Sequence, residues 1–154
     1  AHPTDRVVVS IHWGGNWGHA VPDEQRRFAH ALIDSGRVDL VHGHSAHHAK
    51  AFEIYRERLV LYGAGDFIND YEGITGTPEG LRDDLAVLWL ADLDVETGRL
   101  AGLELELFRL RRLRLEHATA ADREWLRDTL NRQGRPFAPR LAETTAGRLR
   151  LVTT

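Results

Sequence analysis

The 154-residue chain contains no cysteine and no methionine, and among its 20 basic residues only Lys50 is lysine. Without cysteine, disulfides and thiolate metal sites are excluded, and an oxidising compartment is permitted without being required. Without methionine, Ala1 is not a translational start, so the chain is expected to be processed, excised or truncated from something longer. The near-total use of arginine over lysine, with abundant Ala, Gly and Leu, reads as a base-composition bias of the source genome. No apolar run approaches the ~20 residues of a membrane-spanning helix, and no signal-peptide pattern opens the chain. A formal net charge of −3 is too small to argue for a nucleic-acid partner and too mild for an acidic tail.

What is present is ordinary in bulk: 42% hydrophobic and 28% charged residues suit a globular domain. The length suits a single domain over 1–154, or the C-terminal portion of a larger one. "RVVVSIH", Arg6 to His12, is a β-branched run that reads as a buried strand. A glycine-rich loop with Trp13 and Trp17 follows. Pro22, Asp23 and Glu24 then open a helix whose apolar face carries Phe28, Ala29, Leu32 and Ile33, and Gly36 ends it. "VDLVHGH" is a second strand, so strand, helix and strand predict a βαβ unit with a parallel pair. A short helix is predicted over Ala49 to Arg56, then a third strand in "RLVLYGAGDF". Residues 71–83 read as a glycine-rich loop. "LAVLWLADLD" and "LAGLELELFRL" flank a turn at Gly98 and predict a hairpin, with "RRLRLEHA" extending it or starting another strand. Thr119 caps a helix that Gly134 ends, and a weak hairpin closes the chain.

The informative feature is where the polar residues fall. His12, then His44 and His47, then Asp66 stand at or just after the ends of the three predicted strands. In parallel α/β sheets those ends converge on one crevice, and neutral imidazole is the commonest metal ligand. Gly43 lets backbone approach closely beside His44. His42 alternates with His44 but precedes the turn and is left out. His2, His19, His30, His48 and His117 read as ordinary surface or structural histidines. Asp66 is a ligand or a turn cap. Trp13 and Trp17 either wall a pocket or pack their loop down. Three neutral imidazoles leave the charge of a divalent ion uncompensated, and Asp66 and Asp70 are the only acids nearby.

Taken in order, "VSIHWGGNWG", "VDLVHGHSAHH" and "LVLYGAGDFINDYEGI" resemble the C-terminal half of the CapA-like capsule or poly-γ-glutamate synthesis family, a branch of the calcineurin-like metallophosphoesterases. That family has His-Trp-Gly after a strand, Gly-His-x-x-His after the next, and Tyr-x-x-Gly-Asn-Phe third. The similarity continues through "DLDVETGRLAGLELELF" to "DREWLRDTLNRQG". The resemblance implies an α/β fold: the C-terminal part of a two-sheet metallophosphoesterase-like sandwich flanked by helices, a βαβ unit followed by antiparallel strands and a helix. It makes His12, His44 and His47 metal ligands, the first two on one ion and His47 on another, with two divalent ions (Mn, Fe or Zn) as cofactors. Trp13, Asn16 and Trp17 would shape the substrate pocket.

Three departures stand out. Asn16 replaces the family's acid, and Ser45-Ala46 its His-Pro. Asp66 replaces an asparagine, which puts a candidate catalytic carboxylate beside the site. The N-terminal segment in which the family carries its Gly-Asp, Asn-Leu-Glu and Asn-Asn-His motifs has no counterpart in this sequence: the last two do not occur, and Gly65-Asp66 belongs to the third motif above. A missing N-terminal segment of the same protein is therefore an expected partner, and the apolar surface it would cover invites homo-oligomers. The function implied is a metal-dependent phosphoesterase-like step in making an anionic envelope polymer, on a phosphoester or the polymer itself. The location implied is the cell envelope or beyond the cytoplasm. The alternative is a non-catalytic metal-binding or scaffold component of the same machinery.

Overall fold

The structure, a computed structural model, describes residue 2 and residues 5–69, 77–137 and 140–152. Asp70 and residues 71–76 of the predicted glycine-rich loop lie outside the described residues.

Two sheets form the body. The first has the order β1-β2-β4-β3, with β1 (Val8–His12), β2 (Leu40–His44) and β4 (Arg58–Leu61) parallel and β3 (Phe52–Tyr55) antiparallel at the edge. Helix α1 (Asp23–Asp34) makes the crossover from β1 to β2. It starts after Pro22 with Asp23 and Glu24 against its positive end, and Gly36, at φ +70°, turns the chain out of it. Strand alternation sorts the side chains. Val41, Val60 and Tyr62 pack with Ala29 and Ile33 of α1 on one face, while Leu40, Phe52, Leu59 and Leu61 face the second sheet.

The helix expected over Ala49 to Arg56 is instead a coil and β3. Phe52 and Ile54 alternate with Glu53 and Tyr55, which send a carboxylate and a phenol to the opposite face. Arg56 and Glu57 both have positive φ (48° and 62°), making the tight reversal that pairs β3 with β4. A two-residue hairpin overrides the local helical reading.

The second sheet is antiparallel, in the order β5-β6-β9-β8, from the hairpin β5 (Leu85–Leu93) and β6 (Leu100–Arg111), then β8 (Leu141–Glu143) and β9 (Leu149–Leu151). The segment after β6 is a separate strand, β7 (Arg114–His117), paired back on it. Leu103, Leu105 and Leu107 are at most 2% exposed and meet the first sheet, together with Leu126 and Leu130 of helix α2 (Ala120–Gln133). Burying each such leucine stabilises the fold by about 1.5–3 kcal/mol. On the outer face Glu104 and Glu106 pair with Arg148 and Arg150. Thr119 caps α2 in a reciprocal box with Asp122. Sequence reading omitted the short 3₁₀ turn Arg135–Phe137, whose Phe137 sits under the Arg26 guanidinium at 4.7 Å.

The sheets are tied at the start of β2. Asp39 is buried, accepts the Val7 N–H at 2.9 Å and pairs with Arg6 (3.5 Å) and Arg58 (3.7 Å). The β5–β6 hairpin tip presses on it so closely that a Cβ on Gly98 would collide with the carboxylate. An apolar groove of about 410 Å³ opens between the sheets, lined by Val8, Leu40, His42, Phe67, Val87 and Trp89.

Candidate metal centre

The parallel register of β1 and β2 pairs Val8 with Leu40 and runs to His12 opposite His44. Both histidines therefore end their strands on the same face, and their rings meet edge-on with centroids 5.3 Å apart. Gly43 makes this possible. A Cβ there would stand 2.6 Å from the Leu61 carbonyl of the next strand and run into the Trp13 indole. The close backbone approach expected of this glycine is thus present. Trp13 itself donates from Nε1 to the Tyr62 carbonyl at 3.0 Å and stacks on the Tyr62 ring, so it belongs to the helix-side core, on the face away from His12 and His44.

His47 arrives by a strained path. Ser45, between His44 and His47, holds φ 122°, a region that costs a non-glycine residue about 1–3 kcal/mol. Its hydroxyl donates to the Gly14 carbonyl at 3.1 Å, and the His47 N–H donates to the Asn16 carbonyl at 3.1 Å. These two bonds lace the glycine-rich loop to the histidine loop. The chain leaves β4 at Leu61 and returns Asp66 to the site, where its Oδ2 lies 2.8 Å from His47 Nδ1. Asn69 also donates to that oxygen, at 3.3 Å. An ionised carboxylate can only accept, so the contact places an N–H at Nδ1 and orients the His47 ring. Trp17 lies beside His47, ring centroids 5.7 Å apart.

Of the residues expected to act together, the structure joins His12 to His44, and His47 to Asp66, Asn16 and Trp17. Among the described residues, no group of three or more His, Asp or Glu side chains is arranged to hold a metal ion. The donor chemistry fits a divalent transition ion, because a carboxylate-oriented imidazole is a normal ligand. Each pair alone is short of the three or four protein ligands such an ion takes.

Other histidines join the neighbourhood. His42 shares the face of His44 at 5.7 Å and bonds Ser10 Oγ through Nδ1 at 3.0 Å, and burial and the His44 ring hold it below the usual imidazole range. His48 is only 2% exposed, lies parallel to Trp17 and meets His19 edge-on at 4.8 Å. Sequence reading treats His19 and His48 as ordinary. The signal available was the His47-His48 doublet facing a loop with two tryptophans, where burial is worth expecting.

Residues 1–71 match the bacterial capsule synthesis protein PGA_cap family. The "Probable polyglutamine synthesis accessory protein" of Mycobacterium tuberculosis H37Rv is 47% identical over 139 residues, which is 90% of this chain and 36% of that protein. The "Capsule biosynthesis protein CapA" of Bacillus anthracis is 32% identical over 101 residues, 61% of this chain and 24% of that protein. The "PGA biosynthesis protein CapA" of Bacillus subtilis is 37% identical over 73 residues, 47% of this chain and 19% of that protein. The chain thus spans little more than a third of the length of the mycobacterial relative. The family match covers both histidine-bearing strands and the loops that follow them, and with these relatives it shows that the chain belongs to the CapA-like capsule and poly-γ-glutamate synthesis family.

Proposed function

We propose that this chain supplies the histidine donors of a two-metal phosphoester-cleaving centre in a protein of capsule or poly-γ-glutamate synthesis. The observation that carries the reading is the pairing of His12 with His44 across two parallel strand ends, beside a third histidine whose Nδ1 is held by a carboxylate. His12 and His44 would hold one divalent ion and His47 a second, with Mn, Fe or Zn suited to imidazole. Such ions supply Lewis acidity at a phosphoester.

The chain's own residues do the rest. Asp66 is a positioning residue that fixes the ring of His47, and Asn69 steadies Asp66. Trp17 covers one side of His47 and limits water there. Asn16 anchors the loop through its carbonyl. Trp13 braces the strand ends from behind. The carboxylates needed to balance the ions would come from a longer polypeptide, which the 36% coverage of the mycobacterial relative supports. The relatives' names support an anionic envelope polymer, and with it the cell envelope, as the setting.

The test is metal content of the full-length protein after loading with manganese or zinc. His44→Ala and His47→Ala should each lose bound metal, and unchanged content in both would sink the assignment. A second reading is a non-catalytic metal-binding or scaffold component of the same machinery, in keeping with the words "accessory protein" in the name of the mycobacterial relative. Hydrolysis of a phosphodiester by the manganese-loaded full-length protein separates the two: metal bound without turnover selects the scaffold.

A further inference from the structure

Lys50 is the only lysine in a chain whose other 19 basic residues are arginine, and it is 6% exposed. Its stem is clamped over Gly63, where a Cβ would come within 2.8 Å of Lys50 Cγ and Cδ, and its backbone N–H bonds the Gly63 carbonyl at 2.9 Å. Among the described residues its ammonium makes no hydrogen bond or ion pair. A lysine this largely buried without an acceptor is uncommon, because such cations are ordinarily paired.

The groups around it have open valences too. His48, 2% exposed, donates Nδ1–H to the Ala49 carbonyl at 3.1 Å, because a carbonyl can only accept. In the neutral ring Nε2 is then the acceptor atom, and it is buried with no partner among the described residues. His19 Nδ1 is likewise unpartnered. His19 is held down to about 4, by burial first and then by the fields of His48, Arg132 and Lys50. The field of the Asp83 carboxylate is also felt at His48 and acts in the opposite sense to that of Lys50. These groups are neighbours: the His19 and His48 rings meet at 4.8 Å, and the field of Lys50 is felt at both. Trp17 lies against both His47 and His48, so it joins this cluster to the candidate metal centre.

A positive donor beside a lone pair suits a ligand with both an ionised oxygen and an O–H. A carboxylate or sulfate at neutral pH has only acceptors. Hydrogen phosphate, or a phosphate monoester in its singly protonated form, has both. We propose that Lys50, His48 and His19 form a phosphate-recognition subsite beside the candidate metal centre, with a phosphate oxygen on Lys50 Nζ and a P–OH on His48 Nε2. The site deepens the phosphoester reading and rests on it for the source of the phosphate. The contact itself needs no metal, so loss of metal binding and loss of phosphate binding are separate results.

The experiment uses the 154-residue protein after chelator treatment, with inorganic phosphate as probe. Acetic anhydride labels Lys50 as the sole ε-amine, and the α-amine serves as internal control. At matched ionic strength, phosphate should slow Lys50 acetylation saturably by roughly fivefold or more, as mass action gives once ligand exceeds its dissociation constant several times. Sulfate and glutarate should protect less than about twofold under the same occupancy rule. No protection by phosphate overturns the subsite, and equal protection by sulfate or glutarate overturns the role of His48 as acceptor. Lys50→Met keeps the stem and removes the charge. It should weaken phosphate binding by calorimetry about tenfold, or 1.4 kcal/mol, and an unchanged affinity in a folded variant also refutes the proposal. If that variant does not fold, the acetylation of the unaltered protein decides.

Discussion

Gly43→Ala tests the link between sequence and site most sharply. The added methyl would meet the Leu61 carbonyl at 2.6 Å, on a strand held by its own ladder, and the Trp13 indole on the other side. The backbone cannot yield cheaply, so the indole must move and its bond to the Tyr62 carbonyl is stretched or broken. Overpacking of this kind costs about 1–3 kcal/mol, and the lost hydrogen bond adds about 0.5–1.5 kcal/mol. The expected loss is therefore about 2–4 kcal/mol. At roughly 2–4 °C per kcal/mol for a chain of this size, melting should fall by about 5–15 °C. Gly15→Ala is the control, since a Cβ there meets nothing within 4 Å and the change should stay within about 0.5 kcal/mol. Urea unfolding followed by tryptophan fluorescence measures both, with a shifted midpoint at constant slope expected for Gly43→Ala. Equal midpoints for the two variants would refute the argument that Gly43 is required for space.

Other perturbations are expected as follows. Asp66→Asn removes the carboxylate that fixes the His47 ring and should weaken zinc binding by the full-length protein about 10–100-fold in a chelator competition; unchanged affinity would leave Asp66 as a turn residue. Burial pushes the Asp122 carboxyl up, but bonds from Thr119 and Arg82 outweigh it and hold the group at about 2, below the ordinary 3.8. Its stabilisation, about 2 kcal/mol from the shift, is complete above the unfolded value and lost as pH falls through about 2; Asp122→Asn should flatten that part of an acid-unfolding curve. Leu105→Ala, at a fully buried position between the sheets, should cost about 2–5 kcal/mol in urea unfolding.

Strand ends and their chemistry were legible because strong local signals agree with the topology. The β-branched run into His12 and the apolar run into His44 both read as strands, and a helix of crossover length lies between them; only the second is buried, because β1 is the edge strand, with Val8 53% exposed. A parallel register then puts the two histidines side by side without further information. The segment from Ala49 to Tyr55 was not legible, because it is decided by pairing with β4 across a turn of two positive-φ residues, and nothing in its composition advertises that turn. His48 was missed for a related reason. Its burial comes from Trp17, a residue some thirty positions away that reaches it only when the glycine-rich loop folds back. The carboxylate on His47 lies in between: Asp66 was visible as a nearby acid, but the 2.8 Å contact depends on how the chain leaves β4.

Asp39 gives β2 a division of labour. At its first end the strand is knotted to Arg6 and the Val7 amide, to Arg58 and to the Gly98 hairpin tip, so three other stretches of chain meet at one carboxylate. At its other end, five residues on, it carries the candidate metal donor His44. Mechanical load and the candidate donor are thus placed at opposite tips of one short strand. A substitution at the His44 tip would leave the knot at Asp39 tied.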